Sequence, residues 1–359
     1  MNRRLYITLI AAISLLAACT EQHIDPAPQV PDSHHSYIFF EQEVVESIES
    51  KVTPVEGTSL PAKSGSAFGV LGYAGANTAS IFAGENDIAN VYWEEGIFKY
   101  DNLAIWHGNE TEHHFYAHYP YDLGTVGVVT PNNADPYILF TQPTQESDMK
   151  DILTAHTSRK KASGNAVLLE FYHRLWALDI KIKNSQTTGV DGEGNTIASP
   201  SMKVTGIDVI VQNFPTKAYI YLNPNKGVEL FKNESGNVVL NSSTCTYTFP
   251  VTDDESNVIA GGADKTYSSL LFSPVPTGLF KYKLEVTYLD ATGKTAKFTT
   301  EFKTSTIAFE SGKRYLLTIN KTDDRFVVGE YYDPDGNATG FAPGDWWHSD
   351  EDEVHHEFN

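Results

Sequence analysis

Cysteine is nearly absent from this 359-residue chain: there are two, Cys19 and Cys245. A disulfide framework is therefore excluded as the source of stability, which has to come from buried area. Long apolar runs are missing too. After the first twenty residues no stretch approaches 18 consecutive apolar positions, so the body of the chain does not read as crossing a membrane by helices. Positive charge is scarce, with 26 Lys and Arg against 46 Asp and Glu and a net charge of −20. That balance excludes nucleic acid as a partner, because phosphates call for a basic surface. Catalytic signatures are lacking as well: there is no Gly-x-Ser-x-Gly, no His-Glu-x-x-His and no Walker loop. Neither a cofactor nor an enzymatic activity is expected.

What is present begins with the N-terminus. Arg3 and Arg4 precede an apolar stretch, residues 5–16, broken only by Thr8 and Ser14, and small residues Ala17 and Ala18 lead to Cys19. This is the layout of a secretory signal, too short to span a bilayer comfortably. Leu16-Ala17-Ala18-Cys19 also resembles the lipobox of bacterial lipoproteins, which predicts cleavage between Ala18 and Cys19 and lipidation of Cys19. Each buried methylene contributes about 0.8 kcal/mol, so two or three acyl chains make a firm anchor. Thr20 does not resemble an inner-membrane retention signal, and the outer membrane is the expected destination. Removal of the signal takes away two arginines and no acid, leaving a net charge of about −22. Residues 19–36, with their prolines and histidines, read as a flexible tether. With Cys19 acylated, Cys245 has no partner.

Tyrosine, phenylalanine, glycine and proline are abundant (19, 19, 26 and 17), a composition of strands and turns. Alternating segments recur at 37–48, 67–73 and 112–119, the last stopped by Pro120. Residues 90–93 and 97–100 read as a hairpin. The clearest strand is 176–182: Trp176, Leu178, Ile180 and Ile182 share one face, and Asp179, Lys181 and Lys183 the other, as in an antiparallel sheet half exposed to water. Phe171, His173 and Leu175 have the opposite parity, so a bulge or corner is expected near Leu175. One helical turn is expected over 147–155, capped by Ser147. Residues 186–201 are rich in Gly, Thr, Ser and Asn and predict a domain boundary. Strand-like runs follow at 203–211, 218–222, 245–249 and 268–272, then a hairpin of 281–288 with 296–302, then 315–320. The reading is all-β, with an N-terminal sandwich over 37–185, a linker over 186–201, a second sandwich over 202–325 and an acidic tail over 326–359.

Five phrases in this order resemble the fimbrillin family, the subunits of lipoprotein-derived (type V) pili of Bacteroidetes. They are Ala67-Phe68-Gly69-Val70, residues 115–121 (FYAHYPY), 151–155 (DILTA), 169–175 (LEFYHRL) and 312–319 (GKRYLLTI). The match covers roughly residues 37–321. It implies two transthyretin-like antiparallel β-sandwich domains in tandem, export to the surface, and a place in a fimbria as anchor, tip or accessory subunit. The partners implied are other pilus subunits, joined by donor-strand-type pairing, and host or bacterial surface ligands. A glycan-binding outer-membrane lipoprotein that never polymerises is the alternative. In polymerising members an arginine-specific protease removes an N-terminal segment and opens a groove for a neighbour's strand. This sequence departs from that pattern: its arginines stand at 3, 4, 159, 174, 314 and 325, while Lys51 and Lys63 are of another specificity.

Remaining clusters are weighed against plainer readings. His107, His113, His114 and His118 invite a metal, but no Cys or Glu completes a recognised spacing, and surface or rim histidines are the favoured reading. His173 reads as a packed, hydrogen-bonded core residue. Asp333-Pro334-Asp335-Gly336-Asn337 starts like a calcium loop, yet Ala338 and Gly344 stand where a Gly and an acid are wanted, so a plain turn is favoured. No metal site is predicted. Trp346-Trp347 reads as a plug packing the tail onto the second domain, with a sugar-stacking platform as the rival.

Overall fold

The structure is a computed structural model, and it describes residues 37–44, 67–75, 80–82, 87–94, 97–123, 127–129, 135–161, 166–323, 325–328 and 342–345. Cys19, the signal, the acidic loop at 333–337 and Trp346-Trp347 lie outside the described residues.

Strands in chain order are β1 (Phe39–Val44), β2 (Ala67–Ala74), β3 (Ala89–Glu94), β4 (Ile97–Tyr100), β5 (Glu112–Tyr119), β6 (Val128–Val129), β7 (Tyr137–Thr141), β8 (Leu153–Lys160) and β9 (Ala166–His173). Next come β10 (Trp176–Asn184), β11 (Thr188–Val190), β12 (Thr196–Ala198), β13 (Met202–Gln212), β14 (Phe214–Pro215), β15 (Lys217–Tyr221), β16 (Val228–Leu230), β17 (Leu240–Asn241) and β18 (Cys245–Thr248). The last are β19 (Val258–Ile259), β20 (Asp264–Phe272), β21 (Lys281–Leu289), β22 (Thr295–Thr299), β23 (Lys303–Thr304), β24 (Lys313–Lys321), β25 (Phe326–Val328) and β26 (Ala342–Asp345). Among the described residues the only helices are short 3-10 turns, and none is long and apolar enough to cross a membrane. The fold is all-β.

A seven-stranded sheet runs β1-β9-β8-β5-β2-β3-β4. Its alternating residues Phe68, Val70, Phe115, Ala117, Val167, Leu169 and Phe171 are buried and form a first apolar core. Alternation puts every second side chain on one face, and burying that face fixes the register. Gly69 is required there, because a Cβ at this position would strike the imidazole of His118 on the neighbouring strand.

A second, larger core lies under three further sheets: β20-β10-β24-β25, β18-β13-β21-β22 and β16-β15-β7-β6. Trp176 is its centre. The indole stacks on Phe309 at 4.2 Å and approaches Phe272 at 5.0 Å and Phe280 at 5.2 Å, and its Nε1–H donates to the Ser273 carbonyl at 2.8 Å. A buried aromatic that also satisfies its polar atom contributes area without a desolvation penalty.

Three expectations differ from the structure. The strand starting at Trp176 pairs antiparallel with β20 but parallel with β24, and it lies in the larger core, although it precedes the boundary drawn at 186–201. That segment itself folds as the β11–β12 hairpin. The polar face of β10 is also less exposed than alternation implied. Ala177 and Asp179 are buried, and Asp179 meets Arg314 at 2.9 Å and accepts from Ser269 at 2.5 Å. The helical turn over 147–155 is replaced by a 3-10 turn, Glu146–Asp148, in which Ser147 caps nothing. Leu153, Thr154 and Ala155 are instead drawn into β8, where all three are fully buried. Tertiary burial outweighs local helix propensity there. The corner expected near Leu175 is where the chain leaves β9 for β10, and the β-bulge lies farther on, between Leu178 and Ile180.

Candidate subunit-joining site at the sheet edges

Both ends of the described chain are edge strands. β1 lies along β9 in parallel, from Phe39 opposite Ala166 to Val44 opposite Phe171. Every other pairing in that sheet is antiparallel. On its far side the β1 segment is held by an Ile38 N–H to Ala104 carbonyl bond of 3.0 Å and a bridge between Tyr37 and Ile105. The segment is therefore embraced from both sides.

Alternation decides how deeply it is seated. Ile38 and Phe40 point into the first core and are 0% and 5% exposed, while Phe39 faces outward. The Phe40 ring lies 5.5 Å from Tyr100, 5.9 Å from Phe82 and Phe115, and 6.5 Å from Phe68. Tyr100 completes the clasp: its hydroxyl donates to the Ile38 carbonyl at 2.8 Å and accepts from the Ala104 N–H at 3.2 Å. Burial pushes this phenol above its usual pKa. Sequence reasoning missed Tyr100, because the contact spans 62 residues and leaves no local pattern.

At the other end, β26 pairs antiparallel with the first half of β24, from Leu316–Ala342 to Lys313–Asp345, and β25 pairs with its second half. The outer edge of β24 is thus covered by two short pieces of the C-terminal chain.

The predicted histidine cluster does not converge. His113 and His118 are buried at 0% and 1% exposure, which corrects the surface reading, since β5 is a central strand covered on both faces. His113 accepts from the His107 N–H at 3.0 Å through Nε2, and its Nδ1 bonds the Thr111 carbonyl at 3.0 Å. His118 Nδ1 bonds the Pro120 carbonyl at 3.0 Å, and burial lowers its pKa to about 4. His114 turns to the Ser158 hydroxyl at 2.8 Å. No group of three or more His, Cys, Asp or Glu able to hold a metal occurs among the described residues. His173 is a core histidine as expected, and its Nδ1 lies 2.8 Å from the buried Asp151 carboxylate. Both residues stood in the resemblance phrases, yet nothing in their spacing announced the pair. Cys245 is unpaired in a disulfide sense.

An all-β chain whose two ends serve as sheet edges has the architecture of a strand-pairing subunit. The sequence profile described as fimbrillin-like matches residues 53–331, and the chain belongs to that family. Family membership places it among cell-surface fimbrial proteins that contact other pilus subunits. Two solved structures share the fold. A fimbrial protein from Bacteroides vulgatus aligns at 18% identity with a TM-score of 0.58, covering 86% of this chain and 99% of the other. A candidate cell adhesion protein from Bacteroides ovatus aligns at 15% identity with a TM-score of 0.50, covering 89% and 100%. A comparison with curated proteins finds no match.

Proposed function

We propose that this chain is a non-enzymatic surface lipoprotein of a fimbria, held to the outer membrane by lipid on Cys19. It acts as an anchor, tip or accessory subunit and joins other subunits by strand pairing at its sheet edges. The observation that carries the reading is the seating of β1, with Ile38 and Phe40 inside the first core. A strand so placed is what a neighbour's strand would replace if it were cut away. Between Cys19 and Ser158 there is no arginine. The next one, Arg159, lies within β8 and donates to the Ala166 carbonyl at 2.7 Å, so cleavage there would open the sheet. β1 and its lipid therefore stay in place, which suits a terminal subunit better than a repeating shaft.

The test is the N-terminus of the protein recovered from the cell surface. An acylated Cys19 supports the terminal-subunit reading, and a new N-terminus between Lys51 and Phe68 refutes it. Cys19→Ala should abolish palmitate labelling and release the protein from membranes; labelling at the wild-type level would sink the lipoprotein assignment.

A further inference from the structure

A groove of about 840 Å³ opens between β16 and the two chain segments that precede and follow β21–β23, at Pro274–Pro276 and 308–311. Its volume lies within the range that holds a compact ligand. Val228, Leu230, Val275 and Phe309 give it an apolar lining, and Lys232 stands at the rim. Lys232 is exposed and makes no ion pair among the described residues.

The β16 wall is an unpaired sheet edge. β16 ends its sheet, bonded only to β15. The Phe231 N–H donates to Lys217 and the Tyr221 N–H to the Gly227 carbonyl. Antiparallel pairs alternate, so Val228 and Leu230 turn their own N–H and C=O groups away from β15, to the open side. Such an edge takes an extended segment, with main-chain bonds supplying affinity and apolar pockets taking alternate side chains.

What reaches it follows from the register of β26. That strand runs antiparallel to β24 and ends with Asp345 opposite Lys313. Continued in the same direction, the next residues pass Gly312 and Ser311, and Ser311 and Glu310 line the groove. The next residues are Trp346 and Trp347, followed by the acidic run 350–353. Two indoles carry the apolar surface this groove would bury, roughly 150–250 Å² each, and the acids behind them suit the uncompensated Lys232.

We propose that the groove is the seat of the chain's own C-terminal segment, with Trp346-Trp347 as its anchor. β26 and the groove then form one continuous latch. The segment holds the β24 edge covered and keeps the β16 edge from pairing with other chains.

Two measurements on the full chain test this. Acrylamide quenching of the unmodified protein reads all five tryptophans, and Trp106 and Trp176 are already buried. Seated indoles leave little accessible emission, and W346F/W347F then changes the accessible fraction hardly at all. A large, freely quenched component that disappears in W346F/W347F overturns the proposal. Hydrogen exchange is then compared between wild type and W346S/W347S. Exchange at 228–230 should speed up at least tenfold while that of β10 stays unchanged. Unaltered exchange at 228–230 overturns the proposal, as does protection that grows with protein concentration, which would seat the segment in a second copy. Quenching relieved by added oligosaccharide but not by the substitutions in the groove's exchange would instead make the tryptophans a sugar platform and overturn it too.

Discussion

The two cores differ in how they are completed. The smaller one needs the N-terminal end of the chain: Ile38 and Phe40 fill it, and Tyr100 fastens the segment that carries them. The larger one is built around Trp176 from strands far from either end, and β26 adds only Ala342, Pro343, Gly344 and Asp345 along its margin. An end that brings a phenylalanine into a core cannot leave without exposing the surface it covered. An end that brings a proline and a glycine to an edge can, since proline has no N–H for the ladder and glycine no side chain to pack. The N-terminal strand is thus part of the fold, and the C-terminal one is an addition to it.

The strongest way to break that comparison is Trp176→Ala. It should cost at the upper end of roughly 3–5 kcal/mol, the range for truncating a buried aromatic, because four aromatic neighbours and the Ser273 bond are lost together. A thermal midpoint that moves by less than a degree or two would show that Trp176 is not core. Phe40→Ala should fall at the lower end of the same range, since an edge strand relaxes more easily than a central one. Denaturant unfolding of the single and double variants checks the separation of the cores. Costs that add within about 0.5 kcal/mol mean independence.

A third test uses pH. His118 has its pKa lowered to about 4 by burial, so its neutral form is favoured in the fold. The stabilisation is fully present above the unfolded pKa of about 6.5 and is lost as pH falls through 4, amounting to about 3 kcal/mol by pH 4. His118→Gln should flatten that part of the stability profile. Equal pH slopes in wild type and variant would remove His118 from the account. The smallest effect sharpens the contrast between the ends: amides of Ala342, Gly344 and Asp345 should exchange through local opening, at least tenfold faster than those of Phe39–Val44. Equal rates would make β26 as structural as β1.

Much of this was legible in the sequence wherever neighbours in the chain are neighbours in space. Residues 89–100 and 281–299 announced their hairpins through turn residues between alternating runs, and Pro120 ended β5 where its missing donor required. The lipobox, tail and signal readings rest on residues outside the described ones. What local pattern could not give was partnership at a distance. The parallel pairings of β1 with β9 and β10 with β24 join segments more than 120 residues apart, and a parallel partner leaves no turn between. Buried Asp179 read as solvent-facing because alternation reports a face, whereas burial depends on what later covers it. His113 and His118 were misjudged for the same reason.

The parallel run of β1 beside β9 has a mechanical consequence for a protein tethered at its N-terminus. Tension entering at Phe39 pulls β1 back along its own axis. The rest of the molecule hangs from the opposite end of β9, beyond His173. The two strands are then dragged past each other, and the hydrogen bonds along all six residue pairs share the load at once. A hairpin pulled open from its free end would lose its bonds one after another. A chain anchored through its first strand in this orientation resists being drawn out far better than it resists being peeled, and flow across a cell surface supplies mainly the former.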